Sequence, residues 1–139
     1  MILLDTNVVS QLVREHPEER VLDWLAQHDL ADLWLSVVTG AELLTGVASL
    51  PAGRRRDTQA RGVHELLETV FDGRVLSFEA HAAIEYAGVM AARRRAGRPI
   101  GVPDAMIAAG ALAARATLAT RNTKDFEGLG LDLVDPWTA

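Results

Sequence analysis

The chain opens with the residues Met1-Ile2-Leu3-Leu4-Asp5-Thr6-Asn7, and this stretch decides the fold class. A short, uninterrupted apolar run is typical of a buried strand in a parallel sheet. The run ends abruptly in a carboxylate, a hydroxyl and an amide. Because ligands bind at the carboxyl ends of the strands in open α/β sheets, Asp5 occupies a position where chemistry is expected.

Strand and helix patterns alternate along the rest of the sequence, without a repeat or a low-complexity linker. Strands are predicted at residues 2–5, 33–35, 75–78, 116–120 and 131–134. The intervening segments carry apolar residues at helical spacing, and Ser36 or Thr39 can cap the helix after the second strand. The alternation predicts an α/β fold, a parallel sheet flanked by helices on both faces, in one domain that spans residues 1–139.

Composition excludes several classes of protein. With 49% hydrophobic and 24% charged residues, the sequence is typical of a globular domain, and it has no run of about 18 apolar residues that would predict a transmembrane helix. The absence of cysteine excludes disulfides, thiolate metal sites and cysteine nucleophiles. A net charge of -5 argues against a simple basic nucleic-acid binder. We expect no membrane partner and a cytoplasmic location.

Three carboxylates stand where a parallel sheet would bring them together. Asp5 ends the first strand, Glu42 lies in the first turns of the helix after the second strand, and Asp104 opens the helix before the fourth strand. A fourth polar group, either Asn122 or Asp125, follows that strand. Strand ends and the helix starts that follow them share one edge of a parallel sheet. Asp104 joins this edge if its helix starts there too.

The grouped acids indicate a particular chemistry. Clustered carboxylates repel one another unless a cation compensates their charge. Oxygen ligands without cysteine or paired histidine favour Mg²⁺ or Mn²⁺ over zinc. Such a site supports metal-assisted hydrolysis, usually of a phosphodiester, and leaves open whether one metal or two are used. Thr6 and Asn7 would orient Asp5 or hold a water at the metal.

Basic residues form two clusters despite the negative net charge. The first is Arg54, Arg55 and Arg56, and the second is Arg93, Arg94 and Arg95, with Arg98 nearby. Either cluster alone is more simply a solvated helix face. Beside a nucleic-acid site, both become candidates for contacts with the phosphate backbone of RNA.

The spaced motifs together resemble the PIN domain, in the form found in VapC/FitB-type toxin ribonucleases. The opening ILLDTN at residues 2–7 looks like the first motif of that family. Residues 35–43 (LSVVTGAEL), 103–109 (PDAMIAA) and 119–126 (ATRNTKDF) resemble its second, third and fourth motifs. The Asp-Pro-Trp ending at residues 135–137 is similar as well.

The resemblance implies a single PIN-like domain with a five-stranded parallel sheet. It also implies a Mg²⁺- or Mn²⁺-dependent endoribonuclease, the toxin of a type II toxin–antitoxin pair. The implied partners are a cognate VapB/FitA-type antitoxin that inhibits the enzyme, a second copy of the chain, RNA as substrate, and DNA only through the antitoxin.

The resemblance further implies roles for individual residues. Asp5, Glu42 and Asp104 take the positions of the metal-binding acids. Relatives often carry an acid at the position of Asn122, and Asp125 is the nearest carboxylate, so the fourth position stays open between these two. Thr120 is expected to position water or substrate.

Three alternatives compete with this interpretation. A haloacid-dehalogenase-like phosphatase would use Asp5 as a covalent nucleophile, but it needs a second aspartate where this chain has Asn7. A response-regulator-like receiver needs a phosphoacceptor aspartate after the third strand, where Glu79 stands. The third alternative is a catalytically inactive interaction module with the same fold, and Asn122 is the one feature that favours it.

Overall fold

A five-stranded, fully parallel sheet forms the centre of the computed structural model, which describes residues 1–139. The strands are β1 (Ile2–Leu4), β2 (Leu33–Ser36), β3 (Val75–Leu76), β4 (Thr117–Ala119) and β5 (Leu133–Val134). They lie in the order β3-β2-β1-β4-β5, so the opening strand is central. The predicted five-stranded parallel sheet is confirmed.

Helices cover both faces of the sheet, as predicted. They are α1 (Thr6–Val9), α2 (Glu19–Ala26), α3 (Val37–Ala48), α4 (Arg54–Glu65), α5 (Ala80–Arg95) and α6 (Val102–Ala114). A π-helical segment, Leu66–Val70, continues α4, and a 3-10 turn, Thr123–Phe126, follows β4. None of the helices has the length and hydropathy needed to cross a bilayer.

The apolar run of β1 divides its side chains between the two faces. Leu3 packs into a core with Ile107 of α6, whereas Leu4 packs into a second core with Val21 of α2 and Phe71. All five side chains are almost completely buried. Full burial of a leucine is worth about 1.5–3 kcal/mol, so β1 is held from both sides.

Two predicted boundaries shift in ways that matter for the site. The first strand ends at Leu4 rather than at residue 5, because the Asp5 side chain accepts a hydrogen bond from the Thr6 backbone N–H and caps α1. The helix that carries Asp104 begins at Val102, with Pro103 in its first turn, where a missing N–H costs nothing. Both acids therefore stand at helix starts.

The ends of three strands are level at one edge of the sheet. Leu4 pairs with Leu35 of β2 on one side and with Ala119 of β4 on the other. The backbone N–H of Asp5 extends the pairing with β4, donating to the Ala119 carbonyl oxygen at 2.9 Å. The residues that follow β1, β2 and β4 consequently meet at this edge.

Candidate active site

Asp5 is the most enclosed acid at this edge. It is 4% exposed, and its Oδ2 accepts hydrogen bonds from Thr120 Oγ1 at 2.7 Å and Asn7 Nδ2 at 3.3 Å. Its Oδ1 accepts from the Thr6 backbone N–H at 2.8 Å. Burial raises the pKa of Asp5, and the hydrogen bonds from Thr120 and Thr6 oppose that rise because they stabilise the charged form. The carboxylate is fixed in one orientation.

Glu42 is oriented by two threonine hydroxyls. Thr6 Oγ1 donates to Glu42 Oε1 at 2.7 Å and lies 3.1 Å from Thr39 Oγ1. Since the single hydroxyl proton of Thr6 goes to Glu42, Thr39 must be the donor to Thr6. Thr39 is fully buried in α3, so this relay connects Glu42 to the protein core.

Asp104 faces the other acids across the edge. It is half-buried in the first turn of α6. Burial, together with the negative charges of Asp5, Glu42 and Asp125, raises the pKa of Asp104 to about 6. No hydrogen bond stabilises its charged form. The start of α6 therefore lies at the edge where β1 and β2 end, which was the condition for Asp104 to join the site.

The two candidates for the fourth position do different things. The backbone N–H of Asn122 donates to Thr120 Oγ1 at 3.1 Å, while its side chain is exposed. Asp125 lies in the 3-10 turn, and its charge raises the pKa of both Asp5 and Asp104. Both residues are exposed, so the structure shows the charge of Asp125 acting on the other acids, and the fourth position stays open between Asp125 and Asn122.

The four carboxylates would offer a cation only oxygen atoms, and they have no basic partner. None of the three ion pairs in the protein involves any of them. Uncompensated oxygen donors of this kind fit Mg²⁺ or Mn²⁺. In the structure, no group of three His, Asp or Glu side chains lies close enough together to hold a metal ion. Coordination by three of these acids would therefore require side chains to move toward the cation.

The two arginine clusters differ in accessibility. The first cluster begins α4, where Arg54 and Arg55 are exposed and Arg56 is half-buried. In the second, at the end of α5, Arg94 and Arg95 are exposed, but Arg93 is only 5% exposed. Its guanidinium donates to the Glu127 carbonyl oxygen at 3.4 Å. The prediction that Arg93 contacts RNA phosphates is wrong, because its guanidinium is enclosed between α5 and the turn after β4.

One residue of the site was missed in the sequence. The sequence offers Thr39 only as an alternative to Ser36 for the helix cap, and the structure gives the cap to Ser36, whose Oγ accepts from the Val38 N–H at 3.1 Å. The available signal was spacing, since Thr39 precedes Glu42 by three residues and therefore shares its face of the helix.

Comparison with known proteins gives a consistent result. The model of the PIN domain family matches residues 2–130. The plasmid stability protein StbB of Pseudomonas syringae pv. tomato is 45% identical over 139 residues, covering 100% of both chains. The VapC ribonuclease Y4jK of Sinorhizobium fredii is 42% identical over 137 residues, covering 99% of this chain and 98% of its own.

Solved structures agree with the sequence relatives. The crystal structure of FitAcB from Neisseria gonorrhoeae superposes with a TM-score of 0.91 at 37% identity and covers 100% of both chains. Further solved neighbours are complexes of the FitAB and VapBC type bound to DNA.

Proposed function

This chain belongs to the PIN-domain family, with relatives of the VapC/FitB toxin type, and from that premise we propose that it is a Mg²⁺- or Mn²⁺-dependent endoribonuclease. It would act as the toxin of a type II toxin–antitoxin pair in the cytoplasm. The observation that carries the proposal is the meeting of Asp5, Glu42, Asp104 and Asp125 at one edge of the sheet, where no basic side chain offsets their charge.

Each acid contributes differently to the proposed reaction. Asp5, Glu42 and Asp104 would hold the ion, which when bound supplies a Lewis acid that activates water and offsets the charge of the phosphodiester. Thr120 and the Thr6 N–H keep the Asp5 carboxylate in a fixed orientation. Asp104 has no such restraint, so it is the acid most able to move toward a cation.

The proposed partners follow from the relatives and from charge. The solved FitAB and VapBC neighbours support a cognate antitoxin, with DNA bound through it, and family membership supports a homodimer. A site with four carboxylates is complementary to an arginine, so an arginine of the antitoxin would fit among them and block the enzyme.

The direct test is cleavage of single-stranded and structured RNA by the purified protein in Mg²⁺, Mn²⁺ or EDTA. We expect cleavage that requires the metal and is lost in Asp5→Asn. Asp23→Asn is the matched control, because Asp23 is exposed on α2 and does not perturb the pKa of Asp5 or Asp104.

Other outcomes would contradict the proposal. Cleavage that persists in EDTA or in Asp5→Asn would come from another nuclease or from a different site. If no RNA is cleaved and expression in cells does not inhibit growth, the chain is instead an inactive interaction module. Trapping of an aspartyl-phosphate analogue on Asp5 by beryllofluoride would favour the phosphatase.

A further inference from the structure

A groove leads from the acidic site to free arginines at the start of α4. Its inner part is a cavity of about 180 Å³ that reaches Glu42 and passes over Gly46 of α3. Its outer part is a cavity of about 580 Å³ between α4 and the segment after α1. The two parts share Val13, Arg14 and Gln59 in their linings. We call this the arginine groove, lined by Glu42, Gly46, Val13, Arg14, Arg54 and Arg55.

The outer part of the arginine groove is positively charged. It contains three guanidinium groups, from Arg14, Arg54 and Arg55, against one carboxylate, from Glu15. A local excess of positive charge stands out in a chain whose net charge is -5. A polyanion that is repelled by the four carboxylates would therefore be attracted a short distance away.

The guanidinium groups of the arginine groove have no partner in the protein. The arginines whose guanidinium groups make hydrogen bonds or ion pairs lie elsewhere: Arg20, Arg61, Arg74, Arg93 and Arg98. Arg14, Arg54 and Arg55 are exposed and free to contact a ligand.

The inner part suits the less polar portion of a nucleotide. Leu43, Val47 and Val63 line it beside Glu42. Val47 and Val63 are buried, so a base or sugar would rest mainly on the half-buried Leu43. Gly46 leaves this surface open, since a Cβ built on it would meet nothing within 4 Å. The apolar part of the groove lies near the acids, and the positive charge lies farther out. This arrangement suits a single strand that leaves the site with its phosphates facing the arginines.

We propose that the arginine groove binds the single-stranded RNA that flanks the scissile phosphate. Arg14, Arg54 and Arg55 contact its backbone phosphates, and the strand passes over Gly46 to reach Glu42. The inference rests on the proposed ribonuclease function, because the inner end of the groove is one of the acids of that site. RNA is favoured over a protein segment because of this continuity with the acids and because free guanidinium groups complement a phosphate chain.

The first test compares two pairs of exposed arginines that carry the same charge. The variant R54A/R55A removes two groove residues, and R94A/R95A removes two residues at the end of α5. Binding of a fluorescein-labelled single-stranded RNA is followed by anisotropy in EDTA over a series of salt concentrations. Because each phosphate contact on a single strand contributes about 0.7 to the salt dependence of log K, R54A/R55A should lower that slope by about 1.4. R94A/R95A should have the smaller effect.

The second test blocks the groove without changing its charge. Gly46→Phe places a side chain in the open space over α3, and Gly46→Ala is the matched control that leaves the groove passable. We expect Gly46→Phe to weaken RNA binding and to raise KM for cleavage, while Gly46→Ala binds RNA as the wild type does. Circular dichroism melting of both variants checks that each is folded.

The outcomes separate the groove from the proposed function. Unchanged RNA binding in R54A/R55A, or an equal loss in R94A/R95A, would overturn the groove even if the wild type cleaves RNA. If R54A/R55A weakens binding of the antitoxin but leaves binding of RNA unchanged, the proposal is also overturned, and the groove is a docking surface for a protein. If the wild type neither cleaves RNA in Mg²⁺ nor inhibits growth, but R54A/R55A and Gly46→Phe weaken RNA binding, the ribonuclease proposal fails and the groove is an RNA-binding surface without a scissile phosphate beside it.

Discussion

The end of β1 and the start of α6 each bring a carboxylate to the same site, but they hold it in opposite ways. Asp5 at the strand end is almost fully buried and accepts three hydrogen bonds. Asp104 at the helix start is half-buried and has no hydrogen bond to offset the negative charges around it. Burial raises the pKa of both acids, and only Asp5 has neighbours that oppose the rise.

The difference separates two tasks that a metal site must perform. Asp5 is oriented before any ion arrives, so its position is built into the fold. Asp104 is held in an unfavourable electrostatic position that a cation would relieve. Under the proposed function, Asp5 would set where the ion binds, and Asp104 would gain from the charge of the ion because no hydrogen bond offsets the negative charges around it.

The largest expected effect comes from removing the oriented acid. Asp5→Asn keeps the size of the side chain but replaces one carboxylate oxygen with an amide nitrogen that cannot bind a cation. Loss of the several kcal/mol that a metal supplies corresponds to a rate decrease on the order of 10³-fold. The measurement is the single-turnover rate of RNA cleavage in Mg²⁺. A decrease of less than tenfold would show that Asp5 does not set the ion position.

The second prediction removes the orientation and keeps the acid. Thr120→Val eliminates the 2.7 Å hydrogen bond to Asp5 Oδ2 with little change in volume. Loss of such a supporting contact lowers metal affinity or activity by roughly 10–100-fold. Thr120→Ser restores the hydroxyl and should recover most of the activity. Equal activity of the valine and serine variants would mean that the hydrogen bond does not orient Asp5.

The third prediction compares how much Mg²⁺ stabilises the folded wild type and the folded Asp104→Asn variant. At an ion concentration about tenfold above the dissociation constant, Mg²⁺ should stabilise the wild type by about 1.4 kcal/mol. The gain should be smaller in Asp104→Asn, because one source of repulsion has already been removed. Thermal melting with and without Mg²⁺ measures both gains. An equal increase in Tm for the two proteins would contradict the role given to Asp104.

The smallest expected effect is a pH dependence of stability in EDTA. The folded-state pKa of Asp104, about 6, lies above its ordinary value of 3.8, so the folded protein binds the proton more tightly than the unfolded chain. The stability contributed by the protonated form is complete below about pH 4 and is lost as pH rises through 6. Because Asp104 is partly solvated, we expect Asp104→Asn to gain only about 1 kcal/mol or less over the wild type at pH 7.

Two melting series test this difference. The Tm advantage of Asp104→Asn should be absent at pH 4 and reach its full size by pH 7. Asp23→Asn provides the control for a general change in net charge. An advantage that is constant with pH would show that the effect does not come from titration of Asp104.

The sequence predicts the sheet and its acidic edge because both depend on local patterns. An uninterrupted apolar run such as residues 2–4 has to be buried on both faces, and the residue that follows it has to lie at the strand end. The sequence alone is therefore sufficient to predict that Asp5 and Glu42 lie at one edge of the sheet. The position of Asp104 depended on which end of the sheet α6 starts from, and this is decided by packing of the whole chain.

Two features of the site were beyond such reasoning. The partner of the Thr39 hydroxyl lies 33 residues away in sequence, and only tertiary structure brings Thr6 within 3.1 Å of it. Three consecutive arginines point in directions about 100° apart on a helix, so one of them tends to face the protein body. At the end of α5 the buried residue is Arg93, and the sequence does not distinguish it from the two arginines that follow it.

The hydrogen bond between Thr120 and Asp5 also bears on when the protein can become active during its synthesis. Its two residues are separated by 115 positions, and β1 has to pair with β4 before the bond can form. Parallel pairing at such a separation is slow compared with local folding. A nascent chain that has not yet released β4 from the ribosome therefore lacks the shortest of the three hydrogen bonds that orient Asp5. The proposed site is therefore complete only after the residues of β4 have been translated.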